Sequence, residues 1–164
     1  MPALDIDGLV FTFPNRWSAT KYDDWSFYRN QFSRQGAGIK AVDAIALDPN
    51  GTAFLIEVKD YRHPDTEKPS QLPAAIASKV LHTLSALLPA KLLATDPDEA
   101  GLAGDVLTCS SLRIVAHIEQ PQRHRGVVDP ADLRQKLREL LRAVDPHVKV
   151  VSLTKMQGLP WTVE

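Results

Sequence analysis

The chain has 164 residues, 44% hydrophobic and 24% charged, with three Trp and a formal net charge of −1. That length and apolar content suit one globular domain over residues 1–164, and the near-zero charge excludes gripping nucleic acid by bulk basicity. The lone Cys109 excludes an internal disulfide or a Cys-rich zinc site and is read as packing. No run approaches the ~20 apolar residues of a membrane span, and the N-terminus carries acidic residues where a signal peptide has basic ones; the expected location is the cytoplasm, with no membrane partner.

In chain order, residues 9–13 form a short apolar run that fits an edge strand. Residues 18–32 carry Tyr22, Trp25, Tyr28 and Phe32 at three- and four-residue spacing, which predicts an amphipathic helix capped by Ser18 or Thr20. Gln35-Gly36-Ala37-Gly38 is its expected stop, because glycine accepts the left-handed conformation that ends helices.

Residues 41–47 and 52–59 are apolar runs separated by Asp48-Pro49-Asn50-Gly51, which predicts a β-hairpin. Pro49 has its φ preset for a type I turn, and Gly51 supplies the left-handed residue of the bulge that follows, so Asp48 pairs with Thr52. Counting back from that pair sets Asp43 opposite Glu57, about 5 Å apart at Cβ, with Lys59 two residues further on the same face. A two-residue Asn50-Gly51 turn would throw Glu57 to the other face, but it makes Pro49 a strand residue, which is disfavoured.

After a polar stretch, residues 72–94 predict a helix with Ile76, Val80, Leu84, Leu87 and Leu88 on one face, Pro73 in its first turn and Pro89 kinking or dividing it. Residues 95–108 read as an irregular connection. Residues 112–118 predict a strand, Asp129 and Pro130 open a helix to 144, and residues 148–153 predict a further strand. Helix-separated strands imply crossovers, hence an α/β fold whose mixed sheet is flanked by helices and contains one antiparallel hairpin.

Asp43, Glu57 and Lys59 in otherwise apolar strands need compensation, since an unpaired buried charge costs several kcal/mol. Two close carboxylates repel unless a proton or cation lies between them, and hard oxygen ligands suit Mg²⁺. The alternative is a solvated hairpin face with Lys59 as a cross-strand ion-pair partner. Asp23, Asp24 and Asp60 are nearby candidates for a second ion, with no basis for choosing among them. Arg62 and Lys79, and Arg123 and Arg125 in a loop, are candidate nucleic-acid contacts, although each type is more often an ordinary surface cation.

Asp43 followed by Glu57-Val58-Lys59 on the adjoining strand, with a helix before and a helix and strand after, resembles the PD-(D/E)xK nuclease superfamily, the restriction-endonuclease-like fold. Val42 stands where the motif's name has proline. The resemblance covers residues 18–118 and implies an α-β-β-α-β core with an extra C-terminal helix and strand. It also implies Mg²⁺ (or Mn²⁺) held by Asp43, Glu57 and the Val58 carbonyl, with Lys59 positioning a water. The implied activity is metal-dependent endonuclease hydrolysis of phosphodiester bonds, DNA being the expected substrate and a homodimer or partner protein the expected assembly. The second reading is a nuclease-like fold used as a binding or interaction module.

Overall fold

A computed structural model describes residues 1–66, 70–122 and 126–164. It is a mixed α/β fold whose larger sheet has five strands in the order β3-β4-β5-β6-β7: β3 (Ser18–Lys21), β4 (Ala44–Leu47), β5 (Thr52–Asp60), β6 (Ser111–Glu119) and β7 (Lys149–Val151). β3, β4 and β5 are antiparallel neighbours, whereas β6 and β7 run parallel to β5. Parallel pairing requires crossovers, which are supplied by α2 (Leu72–Leu93) with α3 (Pro97–Leu107), and by α4 (Pro130–Leu140).

The hairpin follows from its turn. Gly51 has φ +83, the Asp48 N–H donates to the Thr52 carbonyl, and the Asp48 carboxylate accepts from the Asn50 and Thr52 N–H groups. The register then runs Leu47↔Ala53 to Ala44↔Ile56, as the three-residue turn requires. A side chain at 51 would be strained by that φ and would crowd the Ser110 hydroxyl at 3.3 Å.

β5 is buried from Ala53 through Val58 because it is flanked by β4 and β6 and covered on both faces. On one face Ala53 and Leu55 join Ile76, Val80, Leu87, Ala103, Leu133 and Leu137 of the helices. On the other, Phe54, Ile56 and Val58 pack against Ile6, Leu9, Phe11, Phe13 and Trp161. That second layer is a small antiparallel sheet of β1 (Ala3–Ile6), β2 (Leu9–Thr12) and β8 (Thr162–Val163), of which the sequence reading caught only the β2 run. Each fully buried Leu, Ile or Phe contributes about 1.5–3 kcal/mol, so both layers matter to stability.

Several expectations are corrected. Residues 18–21 pair with the edge of β4 as β3, so Ser18 and Thr20 cap no helix; Thr20 Oγ1 instead accepts from Trp25 Nε1 at 3.0 Å. The aromatic residues that follow lie on a 3-10 turn (Tyr22–Asp24), the short α1 (Ser26–Asn30) and a second 3-10 turn (Phe32–Arg34). Residues 95–108 are not irregular: Asp96 caps α3, accepting from the Asp98 and Glu99 N–H groups, and Pro97 fits its first turn. α2 passes Pro89 without interruption, and Leu88 is 55% exposed, off the buried stripe. At 22 residues, α2 also has the length and apolarity of a marginal membrane span, which corrects the expectation that no run approaches one.

Candidate functional site

The site sits where β4 begins and β5 ends, on the face covered by α2. Glu57 and Lys59 are odd-numbered residues of β5, in phase with Leu55, and therefore project toward the helices. Asp43 lies one residue before the first ladder pair, and its Oδ2 accepts the Val58 N–H at 2.7 Å. One step beyond the last ladder pair the same register sets Asp43 opposite Glu57, and the Asp43 carboxylate also caps the backbone beside it. Two further bonds hold this entry: the Tyr22 N–H donates to the Asp43 carbonyl, and the Val42 N–H donates to Thr83 Oγ1 of α2.

α2 delivers the residue that completes the cluster. Lys79 Nζ lies 2.5 Å from Glu57 Oε1, whereas Lys59 Nζ lies 3.9 Å from the same oxygen. Lys79 was expected on the polar side of its helix as a nucleic-acid contact; it is half-buried and is the principal partner of Glu57. Its proximity to the Ile76–Val80–Thr83 stripe was the available signal, since a lysine beside a buried stripe can lay its stem across the core. A cavity of about 50 Å³ opens among Lys40, Glu57, Lys59, Tyr61, Ser70 and Lys79.

The electrostatics are those of a carboxylate held against its preference. Burial, and then Asp43, push the Glu57 carboxyl up to about 8, although Lys79 pulls the other way. Burial also raises Asp43, against the pull of Lys79 and the Val58 bond. Burial alone would lower Lys79, but Glu57 and Asp43 outweigh it and hold the ammonium above its usual range. Burial and the nearby Asp43 raise Asp23 as well. Glu57 Oε2 and Asp23 Oδ1 are buried with no hydrogen-bond partner among the described residues. Such a cluster can exchange protons or take up a cation.

Among the described residues, no three His, Cys, Asp or Glu side chains form a metal-holding group. The oxygens that would serve a divalent ion are the orphaned Oε2 of Glu57 and the second oxygen of Asp43, and Lys79 competes with such an ion for Glu57. Of the other candidate acids, Asp23 keeps its unpartnered Oδ1, whereas Asp24 and Asp60 are engaged. Asp24 pairs with Lys21 and Arg29, and Asp60 lies on the opposite sheet face, bonded to Arg62 at 2.6 Å, which holds its pKa below the usual carboxylate range. Arg62 is therefore not brought to Glu57. Arg123 and Arg125 lie outside the described residues.

On that opposite face the sequence reading missed a buried pair. His117 Nε2 meets Glu119 Oε1 at 2.8 Å, and the same oxygen accepts the Leu153 N–H at 2.7 Å. Burial lowers His117 against the pull of Glu119.

No protein-family model and no solved structure matches the chain. Among curated proteins it is similar to a cysteine–tRNA ligase of Neisseria meningitidis serogroup A, 28% identical over an alignment of 200 positions, gaps included, that covers 94% of this chain and 28% of that protein. The chain thus spans less than a third of the length of that relative. This similarity contradicts the expected nuclease, and the endonuclease reading does not stand.

Proposed function

We propose that this domain is a tRNA-directed module associated with aminoacylation, and that the cluster of Asp43, Glu57, Lys59 and Lys79 is where it engages RNA. The observation that carries the proposal is the similarity to a cysteine–tRNA ligase along 94% of the chain. The proposal concerns engagement of tRNA, and ligation of cysteine is not assigned to this domain.

Two features support it. The order α1-β4-β5-α2-β6, with Asp43, Glu57 and Lys59 at the hairpin, favours a restriction-endonuclease-like core, a PD-(D/E)xK resemblance that fits a nucleic-acid-handling fold. The carboxylates would hold Mg²⁺ or Mn²⁺, which supplies positive charge to a phosphate oxygen when bound. Lys59 and Lys79 place two ammonium groups beside the same spot, and an ion on Glu57 would free Lys79 to turn toward that phosphate.

The test is fluorescence anisotropy with a cysteine tRNA transcript, a second tRNA and a DNA duplex of equal charge, in Mg²⁺ at physiological salt. The expected result is tRNA binding at least about tenfold tighter than duplex binding, weakened by Lys59→Ala. Equal or tighter binding of the duplex overturns the proposal.

A further inference from the structure

A second cavity, of about 460 Å³, lies at the carboxyl ends of β5, β6 and β7, against the first turn of α4. Its volume falls within the roughly 300–1,000 Å³ of pockets that hold nucleotide-sized ligands. Among the described residues, Arg62, Arg134 and Lys155 contribute three cations to its wall, and Glu119 is its one carboxylate. The whole chain carries a net charge of −1, so this concentration of positive charge is local.

The charges differ in how they are engaged. Glu119 is spent within the fold, its Oε1 accepting from Leu153 N–H and meeting His117, so little of it is left to repel an anion. Arg62 is fixed by Asp60 through two side-chain bonds, at 2.9 and 2.6 Å, leaving donors of its guanidinium uncommitted. Among the described residues, Arg134 and Lys155 make no ion pair or side-chain hydrogen bond. The acids at the start of α4 are occupied, Asp129 accepting from the Ala131 N–H and Asp132 pairing with Lys136 at 2.8 Å.

The rim is also preformed. Lys155 closes a tight turn in which its N–H donates to the Ser152 carbonyl at 2.9 Å and the Ser152 N–H donates back at 3.3 Å. The turn is tied down on its far side by Gln157, whose Nε2 donates to the Val150 carbonyl at 2.7 Å, while its own carbonyl accepts from Lys149 Nζ. Cations carried on a fixed rim around a concave, partly polar wall match a ligand with several acceptor oxygens, and the backbone that presents them needs little ordering on binding.

We infer that this cavity is a phosphate-binding site, separate from the Glu57 cluster, which takes either a free di- or triphosphate or the phosphodiester of a polynucleotide. The inference stands on the cavity alone and does not need the tRNA proposal. Arg134 and Lys155 provide the contacts not engaged elsewhere among the described residues, and Arg62 the one held in place by Asp60.

Isothermal titration of inorganic pyrophosphate, ATP and a short single-stranded RNA into the full chain tests it. Wild type is expected to bind at least one of them, with roughly tenfold or greater loss in Arg134→Glu/Lys155→Glu and no loss in Arg142→Glu, a charge change on an exposed residue outside the cavity. Binding of pyrophosphate and ATP alone identifies free nucleotide phosphates; binding of RNA alone identifies the backbone phosphate. No binding of any probe to a wild type shown to be folded by circular dichroism overturns the inference, as does equal binding by the double variant. Failure of tRNA selectivity at the Glu57 cluster leaves these outcomes unchanged.

Discussion

Replacing Glu57 by Gln separates the electrostatic strain of the site from its packing. Glu57 is 1% exposed, and a carboxyl held at about 8 against an ordinary 4.5 binds a proton in the folded chain that the unfolded chain has released. Stability from this group is therefore intact below about pH 4.5, declines as the pH rises toward 8, and is flat above. At about 1.4 kcal/mol per pH unit over about 3.5 units, the decline reaches roughly 5 kcal/mol as an upper figure. The amide of Glu57→Gln keeps the shape and can still accept from Lys79, but it has no proton to lose. Urea denaturation with a chelator present, at intervals from about pH 5 to pH 9, is expected to show the variant gaining several kcal/mol on wild type across that range. Parallel curves, or a variant that loses ground at alkaline pH, refute the reasoning.

Lys79→Met is expected to cost about 2–4 kcal/mol near pH 9, where Glu57 is left ionised without its partner, and much less near pH 6; the same denaturation series measures it. Thr83→Val removes the acceptor for the buried Val42 N–H at the entry to Asp43, for an expected loss of about 1–3 kcal/mol in urea. Asp145→Ala unpairs the Ile114 and His147 N–H groups, at 2.8 and 2.9 Å from a fully buried carboxylate, and is expected to cost about 2–4 kcal/mol with a lowered melting temperature.

What could be read from the sequence was what short-range chemistry dictates. Asp48, Pro49 and Gly51 set the hairpin register through their own backbone preferences, and Asp129-Pro130 announced α4 because a cap and an N-terminal proline act within one turn. Residues 18–21 were misread because their strand is defined by the exposed edge of β4, a partner more than twenty residues away. Asp96-Pro97 carried the same signal as Asp129-Pro130, but Gly101 and Gly104 masked the helix; Gly104 packs against the stem of Lys91. At the site, the shared face of Glu57 and Lys59 was legible from period-two alternation. The capping bond from Val58 to Asp43 and the arrival of Lys79 were not, since both depend on how α2 lies across the sheet. The expected DNA cleavage does not stand, because three residues and an element order do not fix an activity, and the similarity to a cysteine–tRNA ligase contradicts it.

The most direct measurement of the central claim is amide NMR of the full chain during titration first with Mg²⁺ and then with tRNA. The account predicts that Val58, whose N–H is bonded to Asp43, and the residues around Glu57 and Lys79 shift with Mg²⁺, and that the same set shifts again with tRNA. A tRNA response that leaves Val58, Lys59 and Lys79 unmoved in both wild type and Glu57→Gln contradicts it.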